Sequence, residues 1–440
     1  MIKTQTDSRK LTTAGINCII LAAGMGTRMN TEIPKALHKI GSKTLISRLI
    51  DTVRETGIKD ISVVVGYNAE KVKEHLKAYG VKTVKQKRLL GSADAVMTAR
   101  EYFENSEGDI MVLYTDTPLL SKETLNGLIN THKEYDASCT LLTTDFKDPA
   151  GYGRIVRDNL GSVIQIVEET DANEIEKAIT EVNIGAYCFK KSELLDALKN
   201  IKKNEKKNEF YLTDVIKYFR DKKLKIAGYN KCLEKEAIGI NSREDLSAAA
   251  KVIRMKKIKE LMKNGVTFID PDTAYIDEGV KIGKDSIIYP SVIIEGDVVI
   301  GNNCRIGPFA RIRGKSLIKA GAAIGNFVEI VRSKIGLNTR VKHHTYLGDA
   351  IVGDNVNIGA GVITANYDGK NKNKTVIKDR AFIGVGAVLI APVKIGKHAL
   401  VGAGSVVTKN KNVPDKTIVI GAPARIFKGL PAGSKKGVRS

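Results

Sequence analysis

At 440 residues the chain is too long for one ordinary domain, and two or three are expected, each large enough to bury a core. Its 42% hydrophobic and 27% charged content is that of a water-soluble globular protein, and its longest apolar run, FIGVGAVLIAPV (382–393), is too short to cross a bilayer, so no membrane insertion is expected. The net charge of +22 fits either a nucleic-acid-binding surface or a lysine-rich surface with pockets for small anions; the spread of lysines, the lack of Trp and the lack of an RNA-binding or helix-turn-helix signature favour the second, with no nucleic-acid partner.

In chain order, the opening MIKTQTDSRK lacks an apolar signal core, so no secretion is expected. Short apolar runs follow that read as strands: CIILAAG (18–24), ISVVVG (61–66), DIMVLYTD (109–116), SCTLLTT (138–144) and GAYCFK (185–190). Amphipathic segments between them read as helices: LISRLIDTVRETG (45–57), AEKVKEHLKAYG (69–80), SADAVMTAREYFEN (92–105) and SKETLNGLINTHKEY (121–135). Such alternation implies an α/β domain, a mainly parallel sheet covered on both faces, over residues 1–246. Its first strand runs into LAAGMGTRM (21–29), which is neither a P-loop nor a dinucleotide fingerprint, since Met29 stands where the third glycine belongs. At the carboxyl edge of such a sheet, Gly24 and Gly26 with Arg28 and Lys35 can hold a polyphosphate through backbone N–H groups and two cations. Basic clusters occur at KNIKKNEKKNE (199–209) and in the tail SKKGVRS (434–440). Five scattered cysteines (Cys18, Cys139, Cys188, Cys232, Cys304), with no C-x-x-C pair, suit reduced thiols in the cytoplasm.

The segment LSAAAKVIRMKKIKELMKNG (246–265) reads as a connecting helix ending at Gly265. Beyond it, over 266–440, the period changes. Isoleucine occupies 276, 282, 288, 294, 300, 306, 312, 318, 324 and 330, ten positions six apart, many followed by glycine. The step slips by one at Ile335 and Val352, breaks in an irregular stretch at 364–382, and returns at Ile383, Leu389, Ile395, Val401 and Val407. A six-residue repeat marks a parallel β-helix, with the aliphatic residue inside and the small residue after it at a tight corner.

LAAGMGTRM with PKALH (34–38) resembles the sugar-1-phosphate nucleotidyltransferases. GYGRI (151–155) and the hexad repeat narrow the resemblance to the bifunctional N-acetylglucosamine-1-phosphate uridyltransferase/glucosamine-1-phosphate acetyltransferase (GlmU) family, over nearly the whole chain. The resemblance implies a Rossmann-like nucleotidyltransferase domain followed by a left-handed parallel β-helix, UTP, acetyl-CoA and sugar-1-phosphate as substrates, Mg²⁺ as cofactor, and a homotrimer with the acyl site shared between chains. By position it assigns Leu21, Ala22, Ala23 and Gly24 to the uridine side and Arg28 and Lys35 to the phosphates. Gln86, Gly91 and Ser92 would read the uracil, Asp116 and Asn241 would bind the metal, and Gly153, Glu168 and Asn183 would hold the sugar.

In the second half the resemblance makes His343 of VKHHTYLGDA (341–350) the base for acetyl transfer, with Glu329 orienting it and His344 a bystander. Arg313, Tyr346 and Asn357 would hold the sugar phosphate, Asn366 and Tyr367 would lie at the acyl site, and Ala360 and Ala403 would meet acetyl-CoA. Thr115 departs from the family pattern, where a glycine often precedes the metal Asp, and so does Asp94, where a histidine is common. Val331 stands in place of a lysine on the sugar phosphate, with Arg332 beside it, and Val385 in place of a serine near the thioester oxygen. The coil ends in IVIGAPARIFKG (418–429), closer to general hexapeptide acyltransferases, with Arg425 a candidate for the CoA phosphates. Two other readings remain: a nucleotidyltransferase whose β-helix only assembles or regulates it, and a nonenzymatic regulatory subunit.

Overall fold

The structure, a computed structural model, describes residues 15–204 and 208–427 and divides into two compact units between Ala250 and Lys251. The opening MIKTQTDSRK, positions 205–207 of the lysine-rich stretch and the tail SKKGVRS lie outside the described residues. The division falls within a helix, Arg243–Lys263, whose later residues Ile258 and Leu261 belong to the core of the second unit. Among the described residues no helix is long and apolar enough to cross a membrane.

The first unit is built on a sheet of β1 (Ile16–Ala22), β2 (Ile61–Val65), β3 (Lys82–Lys85), β4 (Asp109–Tyr114), β5 (Cys139–Asp145), β6 (Arg154–Arg157), β7 (Val163–Val167), β8 (Glu181–Phe189) and β9 (Ile226–Tyr229). Its spatial order is β9-β5-β8-β4-β1-β2-β3, with the β6–β7 hairpin joined to β8. The strands along this path are parallel except β8, which runs antiparallel to both β4 and β5. Alternate side chains of β1 enter two cores. Ile19 and Leu21 cluster with Val64 and with Ala93, Ala95 and Val96 of the helix Ser92–Thr98. Cys18 and Ile20 cluster with Val63, Val65 and the apolar stripe Ile46, Leu49, Ile50 and Val53 of the helix Leu45–Glu55. Burial on both faces is why this strand reads as one continuous apolar run. From β1 the chain moves to β2 and β3 on one side and then returns to β4 on the other, which opens a crevice at the carboxyl ends of β1 and β4.

The second unit is a three-sided coil, its faces formed by three sheets of short strands. Ile276 pairs with Ile294, Ile294 with Ile312 and Ile312 with Ile330, so one turn consumes three hexads. The slip at Ile335 shortens one turn, since Ile318 pairs with Ile335. The irregular stretch proves to be a loop let into an otherwise regular coil. Val352 pairs with Ile377 and Thr364 with Leu389, and both Thr364 and Ile377 continue the buried interior columns. Thr364 escapes a hydrophobic pattern because it is polar, but its Oγ1 accepts from Gly348 N–H at 2.8 Å. The loop itself, around Tyr367–Lys372, is gathered on Asp368, which accepts from Lys370 N–H, Asn371 N–H and Asn373 Nδ2.

Most glycines after the aliphatic positions, such as Gly283, Gly301 and Gly325, serve close approach between turns, while Gly307 takes a positive φ of 99°. A Cβ on Gly301 would lie 2.6 Å from the backbone nitrogen of Ala320 on the next turn. Left-handed backbone occurs at residues such as Phe309 and Phe327. Gly301→Ala is therefore expected to force two turns apart and to cost about 1–3 kcal/mol, read as a lower unfolding temperature of the full chain by calorimetry.

Candidate active sites

After β1 the chain turns through Ala23–Gly26 into the crevice. A Cβ on Gly24 would meet nothing within 4 Å, so that side of the loop is open. Gly26, at φ +62°, is closed in: a Cβ there would lie 2.9 Å from Lys35 Cβ. Gly26 thereby seats the stem of Lys35, whose ammonium donates to Asn241 Oδ1 at 2.8 Å and to Asp116 Oδ2 at 3.0 Å. The lysine expected on the phosphates thus bridges the two residues expected to bind metal.

Both oxygens are held from behind. Asp116 follows β4, and the preceding Thr115 ties that strand end to β1, its N–H donating to Leu21 O at 3.1 Å and its hydroxyl donating to the same oxygen. Ile240 N–H donates to Asp116 O at 2.7 Å, which brings Asn241 alongside. The N–H groups of Asn241 and Ser242 both donate to Asp245 Oδ2 at 2.8 Å, and Asp245 N–H returns a bond to Ser242 Oγ. This reciprocal cap starts the helix Arg243–Lys263 and fixes Asn241 just before it. Arg243 in turn donates to Met29 O at 3.2 Å and touches His38 Nδ1 at 3.3 Å, fastening the glycine loop. Burial, and then the Arg243 charge, push the His38 pKa down.

Leu21, Ala22, Ala23, Gly24, Gln86, Gly91 and Ser92 line one lobe of the cleft with Lys35 and Asp116. Arg28, Gly153, Glu168, Asn183 and Asn241 line a second lobe, which shares Ser92, Tyr114 and Asp116 with the first. Arg28, Lys35 and Asp116 thus border one cleft of two lobes. In the second lobe, a Cβ on Gly153 would lie 3.5 Å from Glu168 Oε2 and 3.7 Å from Asn183 Cβ, so the three expected sugar residues converge. Asn183 donates to Tyr187 Oη at 2.7 Å, and Glu168 accepts from Thr213 Oγ1 at 3.1 Å.

Two residues that carry no expectation from sequence brace this lobe. Arg154, 2% exposed, pairs with Glu169 at 2.8 Å and donates to Tyr152 O. Tyr152, its phenol pKa pushed up by burial, accepts from Gly239 N–H at 2.9 Å, two residues before Asn241. Tyr152→Phe leaves that N–H unmet and is expected to cost about 1–3 kcal/mol, measurable by urea titration of the full chain. Tyr152 falls within GYGRI, but only folding brings it to Gly239, so the motif gives it no bracing role.

In the coil, Asn326 and His343 are register partners, and His343 Nδ1 lies 2.8 Å from Asn326 Oδ1. The amide oxygen only accepts, so Nδ1 carries the hydrogen and Nε2 is left as the basic atom. Two residues beyond the pairs Val341–Ile358, Ile358–Ile383 and Ile383–Val401 come His343, Ala360, Val385 and Ala403, which therefore follow one another along one corner of the prism. Glu329, expected to orient His343, has Arg313 as its partner within the chain. It accepts from Arg313 Nε at 2.8 Å, while Asn326, one turn below His343 and directly in register, takes the imidazole bond. Beside His343, the ring of His344 stacks on Phe327 with centroids 5.1 Å apart, and Phe327 stacks on Phe309 at 5.2 Å.

Glu329 and Tyr346 are register partners on one of the three sheets, and Arg313 and Asn366 lie where the chain leaves that sheet. The strand Tyr346–Gly348 therefore runs between the His343 corner and Asn366. Tyr346 and Asn366 close on Gly348, where a Cβ would fall 2.5 Å from Tyr346 Oη and 2.7 Å from Asn366 Nδ2. Asn366 is buried and donates to Asp349, Tyr367 is exposed with its hydroxyl on Gly369 O, and Asn357 lies on another sheet between Arg340 and Phe382.

Residues 18–212 match the MobA-like NTP transferase domain, and 279–314, 297–332 and 374–409 match the bacterial transferase hexapeptide model. The chain is 39% identical to the bifunctional protein GlmU of Brevibacillus brevis, over 94% of this chain and 96% of that one. It is 42% identical to the proteins of the same name from Pseudothermotoga lettingae (92% and 95% covered) and Carboxydothermus hydrogenoformans (93% and 98% covered). The chain belongs to the GlmU family.

The departures from the GlmU pattern acquire physical reasons. Thr115 is accommodated because its buried hydroxyl reaches Leu21 O. Asp94 accepts from Gln86 Nε2 at 2.7 Å. Val331 is buried, and its neighbour Arg332, at φ +48°, is turned outward onto Asp349, with bonds of 2.7 and 2.8 Å to the carboxylate. Arg313 and Arg332 therefore each have a carboxylate partner. Val385 is exposed on the His343 corner, and Arg425 lies in the terminal strand Arg425–Ile426, which pairs antiparallel with Ile418–Ile420.

Proposed function

We infer that this chain makes UDP-N-acetylglucosamine in two steps. The coil transfers an acetyl group from acetyl-CoA to glucosamine-1-phosphate, and the α/β unit transfers uridylyl from UTP to the N-acetylglucosamine-1-phosphate formed, releasing pyrophosphate. The observation that carries the reading is the convergence of Lys35, Asp116 and Asn241 at the wall where the two lobes meet. A sugar phosphate in one lobe then faces a nucleotide in the other. The sugar-phosphate oxygen bonds to the α-phosphorus as the bond to pyrophosphate breaks, with no covalent intermediate on the protein. Positioning and charge neutralisation suffice for such a step.

The residues present fit Mg²⁺. Two hard oxygens, Asp116 Oδ2 and Asn241 Oδ1, already converge on one cation, the Lys35 ammonium. Among the described residues there is no cluster of three or more His, Cys, Asp or Glu that could cage a metal, and a hard ion that keeps waters and substrate phosphates as ligands needs none. When bound, Mg²⁺ would neutralise charge on the phosphates. Arg28 and Lys35 add cationic charge to the same cleft, and Gly24 leaves the backbone open to the nucleotide.

In the coil, His343 Nε2 takes a proton from the acceptor amine. The nitrogen bonds to the thioester carbonyl carbon, the C–S bond breaks, and the proton passes to the leaving thiolate. By accepting from Nδ1–H, Asn326 makes Nε2 the basic atom of the neutral ring. A homotrimer is proposed on the strength of the repeat's stacked faces and of the exposed Phe309 and Phe327 beside His343. A cytoplasmic location is proposed from the five buried, free cysteines.

One observation favours a second reading, in which the coil only assembles the nucleotidyltransferase. With Val331 buried and Arg313 and Arg332 already paired, neither arginine is an uncompensated cation for a sugar phosphate. Mass spectrometry on glucosamine-1-phosphate, acetyl-CoA, UTP and Mg²⁺, with each omitted in turn, separates the two. UDP-N-acetylglucosamine from the full mixture supports both activities. Product only when N-acetylglucosamine-1-phosphate is supplied leaves the transferase of the first unit alone, and no product in either case overturns the reading.

A further inference from the structure

We propose that Asp94 sets the base preference of the nucleotide lobe by fixing which way the Gln86 side-chain amide faces; the inference rests on the nucleotide reading of that lobe. Gln86 follows β3 and lines the lobe, largely buried. Its Nε2 donates to Asp94 Oδ2 at 2.7 Å and to Gly91 O at 3.1 Å. An amide nitrogen has two hydrogens, and both are engaged. Carboxylate and carbonyl only accept. The reversed amide would set Gln86 Oε1 against two lone-pair groups and lose both bonds, where burial makes unmet polar contacts costly. The amide is thus held in one orientation, and the atom it has left to offer, Oε1, is an acceptor.

A fixed acceptor reads a base edge that presents an N–H. Uracil carries N3–H between two carbonyls, whereas cytosine presents a bare N3 lone pair there. Against a carbonyl that cannot turn away, the cytosine edge meets repulsion and the uracil edge a hydrogen bond. Asp94 lies in the first turn of the helix Ser92–Thr98 and acts through Gln86 without touching the nucleotide, so it is a positioning residue. Removing it leaves Gly91 O as the one acceptor holding the amide, which can then turn far more readily to present its other end.

The test measures kcat/KM for UTP and for CTP, with N-acetylglucosamine-1-phosphate and Mg²⁺, on full-length wild type, Asp94→Ala and Asp94→Asn. Wild type should favour UTP, and Asp94→Ala should lower the UTP:CTP ratio by about tenfold or more, through KM more than kcat. Asp94→Asn, whose Oδ1 still accepts, should restore most of the ratio, which a merely structural loss would not allow. Titration calorimetry on wild type supplies a measurement independent of any variant: CTP and N3-methyl-UTP should each bind at least about tenfold more weakly than UTP. An unchanged ratio in a folded Asp94→Ala protein overturns the role of Asp94 while leaving the transferase intact. Equal affinity of wild type for UTP and CTP overturns the locked amide. A wild type that turns over neither nucleotide overturns the nucleotide reading and this inference with it.

Discussion

Asp116→Ala should abolish Mg²⁺-dependent formation of UDP-N-acetylglucosamine, with kcat falling by about a thousandfold or more, while the chain stays folded. Asp116 supplies one of two protein oxygens that meet at the cleft wall, and its partner Asn241 is neutral. Without the carboxylate, only the neutral Asn241 oxygen of that pair is left to hold a divalent ion against Lys35. Stability should change little, because Lys35 keeps its bond to Asn241 and the Asp116 backbone keeps its bond to Ile240, so a loss of about 1–2 kcal/mol is expected. Pyrophosphate release, paired with a thermal unfolding trace, checks both parts. Acetyl transfer should persist, since its residues lie in the other unit. Lys35 acts on the same oxygens, so the effects of Lys35→Met and Asp116→Ala should combine less than additively in the double variant. Pyrophosphate release within tenfold of wild type in Asp116→Ala would remove the metal assignment.

His343→Ala should silence the other reaction. Loss of a general base costs about 10²- to 10⁴-fold, so release of free CoA from acetyl-CoA and glucosamine-1-phosphate should fall to background. UDP-N-acetylglucosamine should still form from UTP and preformed N-acetylglucosamine-1-phosphate. Asn326→Ala should give an intermediate loss, because the imidazole survives but nothing selects the tautomer with a free Nε2. Glu329→Gln should matter through Arg313 instead, raising KM for the sugar phosphate with less effect on kcat, since that carboxylate pairs with the arginine expected at the phosphate. CoA release by His343→Ala at the wild-type rate would dismiss the histidine as base; silence from wild type and variant alike would dismiss acetyl transfer from the coil.

The comparison of sequence with structure shows where local pattern is informative. The hexad of isoleucines predicted the coil and its interior because the same position of every hexad must face inward whatever its surroundings, although a second position, two residues earlier and filled by Val, Ala, Ser or Cys, is buried as well. The same pattern stopped at Thr364, where a hydroxyl met by Gly348 N–H does the work of a methyl. The glycines were legible as a need for small residues but not as a need for close approach between turns, since the crowding atoms, such as the Ala320 nitrogen against Gly301, lie on the following turn. Asn326 escaped notice because it stands one full turn from His343, and the family resemblance pointed to Glu329 as the partner.

By itself the sequence determined the two architectures, their order along the chain, and the residue types at the cleft: glycines after a strand, two cations, a strand-end aspartate. These follow from periodicity and from chemistry that local neighbours can express. Only the tertiary structure decided which atoms meet. Lys35 reaches an aspartate far along the chain, Gln86 is turned by Asp94, and Arg332 is spent on Asp349. The physical reason is that hydrogen bonds and ion pairs are satisfied across turns and strand ends that only folding brings together, and each such group has few hydrogens or lone pairs to distribute.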